Sequence, residues 1–472
     1  MEMQSNSRKP HVAIFPCVGV GHFVPTVQLA KRLCVNHGFS ATVITSNWMR
    51  TAKQVTYAGY LTSSGLDIRF TEIPDLDVHD EQDEHMKIET RISNYMEKAA
   101  PHVGDILHSL LNSSSPISAF VTDFFCSATF DVAARLSIPT YVFFTCSARM
   151  LSVMLHCPKL ASEHAVCFKD EEECRIDVPG VPPFYARDLP EPMKDRSNQG
   201  FHWFLHHCSR LPEATGILIN TFEDLEKEAL EALKEGKVLG SSPTPSIYSI
   251  GPVISEAHET HECLEWLDQQ PPSSVVYVSF GSGGFLSKEQ TAEVAHGLER
   301  SGHRFLWVVR GENKFITFNP NQVTNVSELL PEGFVSRTKD RGVVVPNWAP
   351  QIAILSHPSI GGFLSHSGWN STLEGISYGV PMICWPLFAE QKLNRFMLVN
   401  HDKVGIDVKM ERDGFVPRAE VERVVRELME GEEGIKAREN MRVLKEKAKL
   451  ALMEGGSSYK SMAMAAGRFV HK

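Results

Sequence analysis

A chain of 472 residues is too long for one ordinary core, so two domains of roughly 200 residues each are expected. With 57 acidic against 47 basic side chains the net charge is −10, which excludes a nucleic-acid binder with a basic face. No apolar run reaches membrane-span length, residues 1–10 lack the apolar region of a signal peptide, and the ten cysteines are scattered without CxxC spacing, so a cytoplasmic protein with reduced thiols is expected.

In chain order, "HVAIFPC" (11–17) is a buried-strand candidate followed by a glycine-rich turn and a helix, with Pro25 expected in its first turn. "ATVITS" (41–46), "ISAFVTD" (117–123) and "TYVFFT" (140–145) read as further strands, and the acidic run 75–85 reads as a solvated loop, not a calcium site. Gly, Ser and Pro collect over 232–250, which predicts a domain boundary there, with domains over 1–245 and 246–455. The alternation resumes with "SVVYVSFGS" (274–282), a helix, "RFLWVVR" (304–310), "GFLSHSG" and "PMICWP" (381–386). An exposed loop is expected over 311–328, and charged helices follow Pro417. Short apolar strands alternating with amphipathic helices predict an α/β fold of two doubly wound domains facing a cleft.

Two groups of residues could carry chemistry in the first half. In "PCVGVGHFVP" His22 follows a tight turn at a strand end, where a neutral imidazole can act as a general base or simply cap a helix. Asp123 ends another apolar strand, where it either orients His22 or caps the helix near Ser127. The glycines do not continue into a dinucleotide fingerprint. His202, His206 and His207 lie close in sequence but bring no further metal ligands.

The second half is richer. "HSGWNSTLEG" (366–375) offers many neutral donors at a helix start, a ready anion site, yet contains no lysine or arginine. Around it stand Trp348, suited to stacking on a flat base, Gln351, Glu374 one turn below Asn370, and Glu390 with Gln391 at another strand end.

From Trp348 to Gln391 are 44 positions carrying W-x-P-Q, F-L-x-H, G-W-N-S, L-E, G-V-P and a closing acid–Gln pair. This segment resembles the signature box of the plant secondary-product UDP-dependent glycosyltransferases, and "GVGHFVP", "VTDFF", "FFTCSA" and "VSFGSGG" extend the likeness over nearly the whole chain. The resemblance implies a GT-B fold of two facing Rossmann-like domains, acceptor-binding over 1–245 and UDP-sugar-binding over 246–455. The helix over 456–472 would pack back on the first domain. It implies that Trp348 stacks on uracil, Gln351 helps hold uridine, and Glu374 binds the ribose. His366, Asn370, Ser371 and Ser282 would hold the diphosphate, with His366 able to carry a proton. Trp369, Glu390, Gln391 and Thr145 would meet the sugar, and Gln391 is the residue accompanying glucose preference. His22 would be the base and Asp123 its partner. Ser367 stands where the family more often has cysteine, and Glu390 where aspartate is commoner.

The expected reaction is inverting transfer of glucose from UDP-glucose to a flavonoid-like phenol, at oxygen or at ring carbon, by a monomer without a metal. Residues 150–160 and 201–208 are expected to line the acceptor pocket, and a catalytically silent UDP-sugar-binding protein is the alternative. The run "HDEQD" (79–83) matches an acyltransferase pattern but lacks its companion motif, and the N-x-S/T triplets at Asn112, Asn325 and Asn370 read as accidental.

Overall fold

The computed structural model describes residues 9–78, 86–163, 168–240, 243–257, 260–311 and 326–470. Residues 79–85, most of the loop expected over 311–328, and Cys167 lie outside them.

The first half forms β1 (His11–Phe15), β2 (Ser40–Thr45), β3 (Ile68–Glu72), β4 (Ile117–Thr122), β5 (Thr140–Phe144), a hairpin of β6 (Arg175–Val178) and β7 (Val181–Tyr185), then β8 (Gly216–Ile219) and β9 (Ser246–Ser249). The second half forms β10 (Val275–Ser279), β11 (Arg304–Val309), β12 (Gly342–Pro346), β13 (Ile360–Ser365), β14 (Met382–Cys384) and β15 (Gly405–Asp407). Seven strands pair in the order β3-β2-β1-β4-β5-β8-β9 and six in the order β12-β11-β10-β13-β14-β15, all parallel. Helices cover both faces, so β1, β5, β10 and β13 are buried throughout, and such strands read as continuous apolar runs.

Each sheet grows outward from one central strand and then returns to that strand's other side. The return falls between β1 and β4 in the first sheet and between β10 and β13 in the second. Ligands in such sheets bind outside the strand ends at this point. The paired ends there are Phe15↔Thr122 and Ser279↔Ser365, so the loops that follow these four strands face the cleft.

Two local expectations change. The helix after β1 begins at Val20, because Gly19 turns the chain sharply with φ 92°; Pro25 is therefore inside it and not in its first turn. The boundary expected after residue 245 falls ahead of β9, which pairs with β8 from Gly216↔Ser246 to Ile219↔Ser249. The Gly/Ser/Pro-rich run leads into this last strand of the first sheet, and four residues were too few to read as a strand. The crossing to the second domain comes after Ser249.

The helix Glu432–Leu452 sets Met441, Ala448 and Ala451 into the second core, and the chain then crosses back. The helix Ser457–Val470 buries Met462, Ala465 and Phe469 in the first domain, with the Phe469 ring 4.5 Å from Tyr141, and Ser458 donates to the Gly251 carbonyl at 2.6 Å. No helix among the described residues is long and apolar enough to cross a membrane.

Candidate active site

His22 and Asp123 descend from the paired ends of β1 and β4. His22 Nδ1 donates to Asp123 Oδ2 at 2.8 Å, and Asp123 Oδ1 accepts the Phe125 N–H at 3.0 Å. The two roles open to Asp123 are thus filled together, one oxygen capping the short turn Phe124–Cys126 and the other orienting the imidazole. This tautomer leaves Nε2 unprotonated and able to take a proton. Burial alone lowers the His22 pKa, but the charge and hydrogen bond of Asp123, with the charge of Glu390, carry it above the usual imidazole value. The half-buried Phe125 ring lies edge-on to His22 at 5.8 Å.

Thr145 Oγ1 lies 3.3 Å from His22 Nδ1, so its hydroxyl steadies the base. Cys17, His22 and Asp123 bring possible metal-ligand atoms within 4.8 Å of one another. Burial, however, holds the Cys17 thiol protonated, far above its usual pKa, and His22 Nδ1 is committed to Asp123. His207 is no metal ligand: its two ring nitrogens pair with the Ser93 and Ser127 hydroxyls at 2.9 and 2.8 Å, and burial pushes its pKa down to about 3.

In the second domain the Gln351 amide donates to Ser371 Oγ at 2.9 Å and Glu374 Oε2 at 2.6 Å, while the buried Tyr277 hydroxyl donates to its carbonyl at 3.3 Å. Burial raises the Glu374 carboxyl to about 7, against the Gln351 hydrogen bond. The Trp348 ring carries the Lys53 ammonium 4.9 Å from its centroid, a contact from the first domain. The helix Trp369–Tyr378 starts after Gly368, leaving its first backbone N–H groups without intrahelical acceptors.

His366 is held neutral, its pKa pushed down to about 4 by burial and then by the Arg310 charge. Beside it, fixed positive charge comes from Arg310, at the end of β11, outside the signature segment. Arg310 donates to the Asn347 carbonyl at 2.8 Å and to the Ser282 carbonyl, bracing two loops of the site. Ser282 itself is exposed beside them. His366 Nδ1 and the Asn370 side-chain oxygen are buried with no hydrogen-bond partner among the described residues, a donor and acceptor surface suited to a polar ligand.

Other expected contacts are redirected. Trp369 Nε1 donates to the Asn220 carbonyl at 2.7 Å, so its buried indole is tied to the first domain. Its backbone N–H instead meets the Glu390 carboxylate. Asn370 Nδ2 donates across the cleft to the Gly21 carbonyl at 2.7 Å. Gln391 is buried and its carbonyl accepts the Leu387 and Phe388 N–H groups at 2.8 and 3.0 Å, which leaves its amide nitrogen for a ligand. Burial raises the Glu390 carboxyl, offset by its own backbone N–H and by the charge of His22 facing it across the cleft. Asn394 joins the two departures from the family pattern, donating to the Ser367 carbonyl at 3.0 Å and to Glu390 at 3.3 Å.

The segments expected to line an acceptor pocket are mostly core. Leu151, Met154, Leu155, Phe204 and Cys208 pack inside the first domain, because both helices turn their apolar faces inward. Phe124 and Phe125 supply the aromatic surface nearest the base. Tyr277, Arg310 and Lys53 escaped sequence reasoning, since only their neighbours in space mark them.

Residues 213–441 match the UDP-glucoronosyl and UDP-glucosyl transferase family. The chain is 41% identical over 467 residues to UDP-glycosyltransferase 72B3 of Arabidopsis thaliana, covering 97% of this chain and 95% of that one. It belongs to the plant UDP-glycosyltransferases. Hydroquinone glucosyltransferase of Rauvolfia serpentina is 40% identical, with 98% of each chain covered. The structure of Phytolacca americana UGT2 complexed with UDP-2fluoro-glucose and pterostilbene matches with a TM-score of 0.88 at 40% identity, covering 98% of this chain and 99% of that one. The fold is GT-B, and the chain is a UDP-glycosyltransferase whose two domains both contribute to the cleft.

Proposed function

We propose that this glycosyltransferase moves glucose from UDP-glucose to the hydroxyl of a flavonoid-like phenol, with inversion. The observation that carries the reading is His22, its Nδ1 bound to Asp123 at 2.8 Å so that Nε2 is the ring nitrogen left to take a proton, with Glu390 facing it across the cleft. His22 Nε2 takes the phenol proton, and the resulting oxygen attacks the anomeric carbon opposite the diphosphate, giving a β-glucoside. Charge growing on the leaving diphosphate meets Ser282, His366, Ser371, the helix-start N–H groups that follow Trp369 and the field of Arg310. Trp348 takes the uracil, Gln351 and Glu374 the ribose side, and Glu390 with the Gln391 amide the sugar hydroxyls. The mechanism assigns no step to a metal. A relative named for hydroquinone and another solved with pterostilbene support an aromatic acceptor, and Gln391 supports glucose. Both halves of the site come from one chain, consistent with a monomer, and the nine cysteines among the described residues, all free thiols, fit a cytoplasmic setting.

Labelled UDP-glucose and a panel of phenols test the reading. The native chain should release UDP and form a glucoside, whereas a silent UDP-sugar binder would release none. His22→Ala should lose about 10²- to 10⁴-fold in turnover while still binding UDP; a variant that keeps most of its activity would sink the base assignment. Attack through a ring carbon made nucleophilic by the same deprotonation is separated by mass spectrometry after acid hydrolysis, which C-glucosides survive.

A further inference from the structure

Pro25 lies six residues into the helix Val20–His37, a position where proline normally weakens a helix. Having no N–H, it cannot bond the carbonyl four residues back, and its ring pushes that carbonyl off the helix axis. The carbonyl in question belongs to Gly21, next to His22. It accepts the Asn370 side-chain N–H at 2.7 Å, a bond joining residues 349 apart in the chain and linking the turn that carries the base to the helix start expected to face the diphosphate. The contact fixes the amide's orientation, because only its nitrogen can donate to a carbonyl. A Cβ at position 21 would lie in ordinary van der Waals contact with the amide, 3.7 Å from Asn370 Nδ2. On the other side of Pro25, Thr26 Oγ1 donates to the His22 carbonyl at 2.7 Å, a further tie on the first stretch of helix.

We propose that Pro25 and Asn370 are positioning residues for the transfer: the proline frees the Gly21 carbonyl, and Asn370 uses it to latch the base of the first domain to the diphosphate end of the second. The proposal rests on the reading of His22 as the base.

Pro25→Ala in the full chain tests it. The alanine supplies an N–H that draws the Gly21 carbonyl back into the helix, so the latch weakens while the helix improves. The expected result is kcat lowered about 3- to 10-fold, KM for UDP-glucose unchanged, and Tm equal or higher. A merely structural proline would instead lower kcat and Tm together, or leave kcat at the native level, and either result overturns the latch. Asn370→Ala alone and combined with Pro25→Ala gives a second measurement. If both act through one bond, the double variant is no slower than the slower single one; losses that multiply would place Asn370 on the diphosphate alone and overturn the proposal. Hydrogen–deuterium exchange over residues 369–373 reads the latch without turnover. Faster exchange in Pro25→Ala supports it and unchanged exchange overturns it, whereas a native chain that never releases UDP overturns the functional reading instead.

Discussion

Burial raises the Glu374 carboxyl to about 7, so its charge changes across neutral pH. As a carboxylate it accepts two hydroxyl donors, and as an acid it accepts less well, so donor affinity should follow its ionisation. Between pH 8 and pH 6 the KM for UDP-glucose should rise about 5- to 10-fold, as the ionised fraction falls. Steady-state kinetics across that range check this, and Glu374→Gln should flatten the dependence. For stability the sign is opposite. A folded pKa above the ordinary 4.5 means the native state holds the proton more tightly. That contribution is complete below 4.5 and is lost as pH rises through about 7. His22 and Asp123 illustrate the same scale: the residue types were legible in the sequence, but the double use of Asp123 needed both oxygens placed.

At the scale of the element, the loops leaving β10, β12, β13 and β14 carry the donor site, and their backbone is tightly set. Asn347, Ser367 and Ala389, beside Trp348, His366 and Glu390, adopt left-handed φ values of 64°, 62° and 54°, each costing about 1 kcal/mol or more without glycine. Where a Cβ would collide, glycine is present. A Cβ on Gly281, itself at φ 73°, would fall 2.4 Å from His366 Cε1, and one on Gly368 would fall 2.5 Å from its Nε2. The imidazole is wedged between two glycines from two strand ends. Gly281→Ala should cost about 1–3 kcal/mol of stability and displace His366. Denaturant unfolding checks the first effect, and a fall in UDP affinity of roughly tenfold, read by calorimetry, checks the second. An unshifted affinity would show that His366 does not need this wedge.

Across the whole molecule, the helix following Glu390 is pinned to the first domain by buried charge. Arg149 is 4% exposed and grips Asp402 with two bonds of 2.7 and 2.8 Å, while also donating to the Leu225 carbonyl at 3.1 Å. Nearer the sugar-facing turn, Arg395 donates to the buried Asp188 at 2.5 Å, and Lys392 adds an exposed pair to Glu191 at 2.8 Å. Removing one partner of such a pair strands the other, so Arg149→Met should destabilise the chain by about 3–5 kcal/mol. Adding Asp402→Asn to that variant should recover part of the loss, because the unpaired carboxylate is gone. Chemical unfolding of both variants measures the difference, and no recovery would mean Asp402 is not the stranded group.

By itself the sequence determined the two parallel α/β layers, because strands buried on both faces must be continuous apolar runs, and it determined which polar residues cluster between them. Thus β1, β4, β10 and β13 lie within a few residues of where the apolar runs predict them, and His22, Asp123 and the stretch from Trp348 to Gln391 mark the strand ends at the cleft. Tertiary structure decided what those side chains bond to. The Trp369 indole and the Asn370 amide are spent on carbonyls of the other domain, burial beside Arg310 pushes the His366 pKa down, and residues 150–160 are mostly core. Each outcome depends on groups distant in the chain and close in space. Local pattern reports which face a residue prefers, and only packing supplies the partner that sets its charge and its bonds.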